Sequence, residues 1–283
     1  MDMTLFSAAF VLYGAAAFLF LGYGLTRREA LSQVANGGVL LGLLAHVAFL
    51  VVRTVAARHL PDHRWYVPWS GWFESLSFLA FVMAAQFAVI ERRRMPILGA
   101  FVLPIVFASM VAALRSPGGT GIPSLPRGLE SYWLAAHIPV MFISYAAFGH
   151  AFAVGLAFLL QERQLKSKHP SRISFRLPPL EELDRLILRI IAWGFPVLTV
   201  GLLLGGQWAH EAWGRYWAWD AKEIGAFVTW LVYLFYFIAR IGGGWRGRKA
   251  AYLSVVGFVV VMITYMGVNH LSQMHGFLSE APK

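Results

Sequence analysis

Residues 207–223 read QWAHEAWGRYWAWDAKE and lie between two long apolar segments. One or two tryptophans at the end of such a segment are typical of the belt where a membrane meets water. Here four tryptophans fall within twelve residues, interleaved with side chains of both charge signs. This pattern indicates a flat aromatic surface on which a large planar ligand can lie while its polar edge finds charged partners. The four tryptophans are Trp208, Trp213, Trp217 and Trp219.

The composition of the chain is that of a membrane protein. Of its 283 residues, 58% are hydrophobic and 13% are charged, whereas a soluble globular domain has roughly a quarter of its residues charged. The first apolar run has no preceding basic region and no small-residue cleavage site, so we interpret it as a spanning helix and not as a signal peptide. The sequence contains no cysteine, so a metal ion would need His, Met or oxygen ligands.

Apolar segments long enough to cross ~30 Å of hydrocarbon recur along the chain. They predict an all-α, polytopic membrane protein in which residues 1–283 form one integral membrane domain and residues 207–223 form a Trp-rich loop. From Leu180 onward the apolar spacing is typical of a helix that lies on the membrane surface before helix six begins. The eight predicted helices cover about residues 5–25, 33–57, 72–90, 96–114, 131–160, 190–206, 223–240 and 249–271.

Basic residues are distributed unevenly among the connections. Sixteen of the 24 Lys and Arg residues lie in the four connections that follow the odd-numbered helices. Because Lys and Arg accumulate in cytoplasmic loops, this distribution predicts a multi-pass protein with both termini and the Trp-rich loop outside the membrane. Contacts between the basic loops and anionic lipid account for the net charge of +10, so no nucleic acid partner is expected.

The segment WAHEAWGRYWAWDAKE, followed by TWLVYLFYFIAR, resembles the tryptophan-rich signature of the cytochrome c assembly proteins. Its D-x-K-E ending resembles the CcsA/ResC type, the haem-handling half of the system II cytochrome c synthetase, more than the CcmC and CcmF relatives. The resemblance extends more weakly to WFESLSFLA at residues 72–80, to SYWLAAHIPVMFISYAAF at residues 131–148 and to His275. It therefore covers the chain from about residue 70 to the end.

This resemblance implies a protein of the bacterial plasma (inner) membrane that binds haem b on the outer face. The haem would be presented for covalent attachment to the CxxCH cysteines of apocytochrome c, together with a CcsB/ResB-like membrane partner. In that function the protein supplies positioning while the cofactor supplies the reactive groups. Whether the chain itself is an attachment subunit of the holocytochrome c synthase type stays open in the sequence.

A second function is kept open by a departure from the family pattern. The family has a histidine near the end of the helix after the Trp-rich loop, and the aligned residue here is Ile238. A HemX-like membrane protein that binds or senses haem without attachment chemistry is therefore the alternative. The intact tryptophan-rich motif favours attachment, and Ile238 favours the alternative.

Two histidines are predicted as axial ligands of the haem iron. His137 lies near the outer start of helix five, and His275 lies just beyond the outer end of helix eight, so both share a side with the Trp-rich loop. Two imidazoles approaching from opposite sides are a common way to hold a six-coordinate haem iron. His270 competes with His275. Five residues turn a helix by about 140°, so these two could not both face one ligand from a continuous helix.

Other polar residues have weaker assignments. His46 and His150 lie at mid-membrane depth, where either could replace the family histidine missing at Ile238 or simply hydrogen-bond a neighbouring helix. Arg215 and Lys222 are candidates for pairing the haem propionates. Asp220 is included in the predicted haem site, although its position favours the alternative role, capping of helix seven.

The charge distribution yields a test of topology. A periplasm-active reporter fused after Arg215 or after Lys283 should be active, because both positions are predicted outside. The same reporter fused after Lys168 should be inactive. The reverse activity pattern would invert the topology and place the Trp-rich stretch in the cytoplasm.

Overall fold

The protein was analysed as a computed structural model, which describes residues 1–26, 28–60, 63, 66–90, 95–116, 118–123, 131–167 and 173–267. In these ranges the chain forms helices and no strands. The eight α-helices are α1 Asp2–Thr26, α2 Glu29–Arg58, α3 Trp72–Ile90, α4 Gly99–Leu114, α5 Tyr132–Lys166, α6 Leu180–Trp213, α7 Ala221–Ile241 and α8 Arg248–Met262. A 3₁₀ turn, Pro96–Leu98, leads into α4, and a π-helical turn, Ile263–Gly267, continues α8.

Each of the eight helices is long and apolar enough to cross a membrane when α4 and α8 are taken with their adjoining turns. This confirms the prediction of an all-α, multi-pass membrane protein. Helices α5 and α6 have 35 and 34 residues. At 1.5 Å per residue each is about 50 Å long, so each extends well beyond the ~30 Å hydrocarbon layer.

The prediction for the segment from Leu180 onward was wrong in one respect. Leu180 begins α6 itself, and the helix continues without interruption into the membrane-spanning part. The first turn carries two acidic residues, Glu181 and Glu182, which favour a helix N-terminus. Even Pro196 lies inside the helix without ending it. The surface segment and the spanning segment are therefore one helix.

The predicted Trp-rich loop is also shorter than expected. Residues 207–213 are the last two turns of α6, and α7 starts at Ala221, so the loop consists of residues 214–220. The sequence between Gln207 and Trp213 contains no residue that stops a helix. The stop is Gly214, which adopts φ +73° and whose N–H bonds to the carbonyl of His210, because glycine enters the left-handed region without a Cβ penalty.

Helix α5 lies at the centre of the bundle. It packs most extensively against α6 and also contacts α3, α4 and α8, while α1 and α2 form a second closely packed pair. Helix α7 is the least buried of the eight, with only Thr229, Tyr233, Tyr236 and Ala239 fully inside. The residues that follow α6 therefore sit at the edge of the bundle.

Charged side chains inside the bundle are paired. Where α6 starts and α7 ends, the Arg240 guanidinium donates to both carboxylate oxygens of Asp184, at 2.6 and 2.7 Å, and the Gly247 N–H donates to the same carboxylate at 2.8 Å. At the opposite end of the bundle, Arg53 pairs with Glu74 and Asp2. Burying a charge is costly unless it is paired and hydrogen-bonded, so both clusters fix the helices that carry them.

The helical state of residues 207–213 can be tested at Ala212. Ala212→Pro removes an N–H that a helix needs and brings the ring against the preceding turn, so it should lower the free energy of unfolding by about 3 kcal/mol. Ala212→Ser keeps the N–H and should cost less than about 1 kcal/mol. Unfolding of both variants in detergent measures the difference. Equal stabilities would show that this segment is not helical.

Candidate functional site

A cavity of about 200 Å³ opens between the starts of α3, α5 and α7, the end of α6, the loop 214–220 and the π-helical turn that continues α8. Its walls are mainly aromatic. The aromatic lining residues are Trp69, Trp72, Phe142, Tyr145, Trp208, Tyr216, Trp217 and Tyr265. The polar lining includes His137 and Lys222. A concave, largely apolar site with a few convergent polar groups is the usual form of a ligand-binding pocket.

His137 lies in the second turn of α5, whose N-terminus is capped by the Ser131 hydroxyl accepting from the Trp133 N–H. Its Nδ1 is 2.8 Å from the carbonyl oxygen of Gly201 on α6. A carbonyl oxygen can only accept, so Nδ1 carries the proton. In the neutral ring Nε2 is then the nitrogen with a lone pair, and it is the one that can bind a metal ion.

Two glycines of α6 make room for side chains of α5: Gly205 for the His137 ring and Gly201 for Met141. A Cβ added at Gly205 would lie 2.7 Å from Cε1 and 3.0 Å from Nδ1 of His137, closer than real side-chain contacts allow. A Cβ at Gly201 would lie 2.5 Å from the Met141 sulfur, on the next turn of α5. The glycines thus let α5 approach α6 closely enough for the His137 hydrogen bond to form.

The last turns of α6 place two tryptophans beside this histidine. Trp208 is buried, and its ring is stacked with the His137 ring at a centroid distance of 6.4 Å and an interplanar angle of 17°. Trp213 packs edge-on against Trp208 at 4.8 Å. Because both rings stand on a helix, they form the rigid side of the aromatic surface.

The loop carries the other two tryptophans. Trp217 lines the cavity and is 37% exposed, and Trp219 packs edge-on against it at 5.7 Å and is 71% exposed. Trp219 has φ +60° and is the only non-glycine residue with positive φ in the described ranges. Such a conformation is rare for a bulky side chain, and clusters of such outliers are typical of functional sites.

Two of the D-x-K-E residues, Asp220 and Glu223, stabilise the start of α7, whereas the third, Lys222, lines the cavity. Asp220 caps α7 by accepting from the Lys222 N–H, and Glu223 reaches back to the N–H groups of Ala218 and Asp220 at 2.7 and 3.3 Å. These contacts form a capping box. Lys222 instead lines the cavity. The alternative role predicted for Asp220, capping of the helix, is thus confirmed.

Other predicted site residues lie elsewhere. Arg215 is exposed and is not among the residues that line the cavity. His210 is exposed and stacks on Tyr216 at 4.2 Å. His46 is fully buried among α1, α2 and α3, where its Nε2 is 2.9 Å from the Ser77 hydroxyl. His150 is buried in α5, where its Nδ1 is 2.9 Å from the carbonyl oxygen of Ala146. His270 and His275 fall outside the described residues.

Sequence reasoning missed part of the cavity. Trp69 lies just before the WFESLSFLA segment, and the sequence WSGW at residues 69–72 was a signal that aromatic residues cluster there too. Tyr265 had no signal, because the apolar pattern of α8 continues smoothly past the start of the π-helical turn. In the structure the Tyr265 and Ser75 hydroxyls are 2.5 Å apart, which ties the end of α8 to α3 beside the cavity.

Comparison with known proteins identifies the family of the chain. Residues 69–275 match the family model for the cytochrome C assembly protein. The chain belongs to this family. Relatives described as the cytochrome c biogenesis protein CcsA include one from Parasynechococcus marenigrum, 37% identical over 92% of this chain and 92% of the relative. Another, from Gloeobacter violaceus, is 31% identical over 99% of this chain and 96% of the relative.

A solved structure shows that the architecture recurs. The cytochrome c haem lyase CcmF matches with a TM-score of 0.65 over 99% of this cytochrome c assembly protein, at 17% sequence identity. At this identity the match shows the fold alone. The chain spans about half of the length of CcmF, covering 51% of it.

The close contact between Gly205 and His137 gives a testable prediction. In this assembly protein Gly205→Ala should push the imidazole away from Gly201 and cost about 1–3 kcal/mol through overpacking. Gly206→Ala is the matched control, because its nearest contact would be an ordinary 3.5 Å to the Tyr216 carbonyl oxygen. It should be neutral or slightly stabilising. Unfolding in detergent, with ¹⁵N NMR of the histidine ring, measures both effects. An unchanged ring signal in Gly205→Ala would contradict the described contact.

Proposed function

We propose that this protein binds haem b in the cavity, with His137 as one axial ligand, and presents it for attachment to the CxxCH cysteines of apocytochrome c. One observation carries the proposal. The Nδ1 proton of His137 is held by the Gly201 carbonyl in the wall of an aromatic cavity. Histidines that bind metals commonly donate their other N–H to a carbonyl or carboxylate in this way, which fixes the tautomer and the ring orientation.

The aromatic walls suit a flat porphyrin. Trp69 and Trp72 line one side of the cavity, and Trp208 and Trp217 line another. The volume of about 200 Å³ is smaller than the roughly 300–1,000 Å³ that encloses most of a drug-sized ligand. A haem bound here would therefore keep an exposed edge. An exposed edge is what covalent attachment to a second protein needs, since the haem vinyl groups form the thioether bonds with the cysteines.

Lys222 is the residue we propose for the polar edge of the haem. Its side chain lines the cavity, whereas the other candidate cation, Arg215, is exposed outside the lining. An ammonium group offers three donors to a carboxylate such as a haem propionate. This assignment replaces Arg215 by Lys222 in the predicted haem site.

We propose His275 as the second axial ligand. The family match ends at this residue. The described chain leaves α8 next to the cavity, because Thr264 and Tyr265 both line it. His275 lies eight residues beyond Gly267, the last described residue, and eight residues can span at most about 26–29 Å. Chain length therefore permits His275 to reach the cavity.

His46 is better explained as a packing residue than as a haem ligand. Its ring is surrounded by Tyr13, Phe49 and Phe81 at centroid distances of 5.3–5.9 Å. With its Nε2 bonded to Ser77, the ring contributes a hydrogen bond between α2 and α3. The HemX-like alternative keeps one supporting observation, which is Ile238. This residue replaces the family histidine and is 59% exposed on α7.

The proposed arrangement in the cell follows from the basic connections. We place the cavity and both termini on the outer side of a bacterial plasma membrane. Delivery of apocytochrome c to the exposed haem edge would involve a CcsB/ResB-like membrane partner. The relatives from Gloeothece citriformis, Gloeobacter violaceus and Microcystis aeruginosa carry the name cytochrome c biogenesis protein CcsA, which supports a role in the same process.

The axial ligands can be tested by substitution. His137→Ala and His275→Ala should each open one coordination position of the iron, and added imidazole should partly restore attachment by refilling it. Loss of a direct ligand should weaken haem binding by at least the roughly 10–100-fold seen for outer-shell changes at metal sites. Visible spectra of the purified variants and haem attachment to a co-expressed apocytochrome c measure the two effects.

His46→Ala is the control for these variants. It removes another buried histidine and should lower stability while leaving haem content and spectrum unchanged. If His137→Ala and His275→Ala both keep a six-coordinate, bis-nitrogen spectrum, the ligand assignment is wrong. If haem binds with both ligands but no attachment occurs with any partner, the HemX-like function is the correct one.

A further inference from the structure

We infer that Arg53 is a positioning residue for the haem cavity, holding residues 69–72 in the place where they form one of its walls. This inference rests on the proposed function, because the effect that we assign to Arg53 is on the affinity of that cavity for haem. Arg53 itself is not among the residues that line the cavity. It acts through the groups it binds.

The Arg53 side chain is almost completely buried, at 1% exposure, yet all of its nitrogen atoms are hydrogen-bonded. From its own helix, α2, it reaches five residues in four other parts of the chain. Its partners are the Asp2 carboxylate on α1 at 2.9 Å, the Tyr66 hydroxyl at 3.1 Å, the Glu74 carboxylate on α3 at 2.7 and 3.0 Å, and the carbonyl oxygens of Thr120 and Gly121 at 2.9 and 2.8 Å. One guanidinium thus connects α1, α2, α3 and the two long connections at the cavity end of the bundle.

The contact runs from Arg53 to the cavity wall through Glu74. A Cβ added at Gly71 would collide with Oε2 of Glu74, so this carboxylate packs directly against the backbone of Gly71. Gly71 lies between Ser70 and Trp72, and all three line the cavity. The Gly71 carbonyl also accepts the N–H of Ser75, one residue after Glu74. Fixing the Glu74 carboxylate therefore fixes the start of α3 and the wall before it.

The second contact with this wall runs through Tyr66. Its hydroxyl donates to the Glu74 carboxylate at 3.1 Å and accepts from Arg53 Nε. Burial and the neighbouring Glu74 charge raise the pKa of Tyr66, so the phenol stays protonated and keeps donating. Tyr66 lies three residues before Trp69. The segment that carries the tryptophan wall is thus held both before and after it.

The arrangement requires arginine in particular. Lysine offers a point charge with three donors, whereas guanidinium offers five in a fixed plane. The Arg53 plane is also packed against the rings of Phe49 and Phe73, at 5.8 and 5.1 Å from their centroids. Lysine would keep the positive charge against the two carboxylates and lose most of the directed contacts.

Arg53→Lys is therefore the informative substitution, and Arg240→Lys is its matched control. Arg240 makes the same kind of arginine–carboxylate contact with Asp184, somewhat less buried, at the end of the bundle opposite the cavity. Both variants should lower the unfolding temperature in detergent. Only Arg53→Lys should weaken haem b binding, by about tenfold, the lower end of the range for outer-shell changes at a metal site.

Two further readouts separate positioning from general loss of stability. The visible spectrum of the haem that Arg53→Lys does bind should keep the wild-type ligand set, because His137 is not displaced. Amide hydrogen exchange should become faster in residues 66–75 in Arg53→Lys, and near residues 184 and 240 in Arg240→Lys. Tyr66→Phe, which keeps every charge, should show the same changes as Arg53→Lys with smaller size and serves if Arg53→Lys does not fold.

Equal haem affinity in Arg53→Lys and wild type overturns the inference, and so does an equal loss in Arg240→Lys, since stability would then explain both. A wild-type protein that binds no haem overturns the proposed function instead. In that case faster exchange at residues 66–75 in Arg53→Lys still supports the positioning of the wall, and unchanged exchange refutes it.

Discussion

The hydrogen bond between the His137 Nδ1 and the Gly201 carbonyl is the interaction on which the cavity depends. Inside a helix the Gly201 carbonyl also accepts the N–H four residues later, which belongs to Gly205. The carbonyl therefore serves two donors, and the imidazole must come very close to the α6 backbone to reach it. Gly205 leaves that space, because a Cβ there would meet the ring, and Gly201 leaves room for Met141 on the next turn of α5. The most extensive helix contact of the bundle, between α5 and α6, is thus also the one that orients the histidine.

The membrane imposes the second constraint. Hydrocarbon offers no hydrogen bonds, so polar groups within the bundle must find partners in the protein. The two most strongly bonded arginines, Arg53 and Arg240, satisfy this near opposite ends of the bundle with the same guanidinium–carboxylate chemistry. The two arginines connect different parts of the chain. Arg240 joins the start of α6 to the α7–α8 turn through Asp184, whereas the Arg53 network touches backbone that continues into the cavity wall.

Much of the fold was predictable from the sequence, for a simple physical reason. A spanning helix needs about 20 apolar residues, and this requirement is visible in composition alone. The ends of helices are harder to predict. The end of α6 depends on the single residue Gly214, and its start at Leu180 was missed because no residue interrupts the helix between Leu180 and the spanning segment. For the same reason the tryptophan motif predicted an aromatic surface correctly in position while its division into helix and loop was missed.

The candidate site was predictable only in part, because the direction in which a side chain points depends on the three-dimensional fold and not on its position in the motif. Arg215 and Lys222 are seven residues apart in one motif, and both are cations. Lys222 faces the cavity because it stands in the first turn of α7, whereas Arg215 follows the chain reversal at Gly214 and remains in the open. The mid-membrane depth of His46 was likewise evident, but its enclosure by aromatic rings came from three separate helices.

Part of the aromatic surface stands on a helix, and part lies in a loop that hydrogen bonds hold in place. Trp208 and Trp213 stand on the end of α6, where the helix fixes them. Trp219 lies in the loop with positive φ, a conformation that costs on the order of 1–3 kcal/mol and persists only when its surroundings impose it. The N–H groups of Ala218 and Asp220, on either side of Trp219, both donate to the Glu223 carboxylate. Glu223 therefore does more than cap α7, because its two hydrogen bonds hold the strained residue between them and keep an exposed indole against Trp217, which lines the cavity.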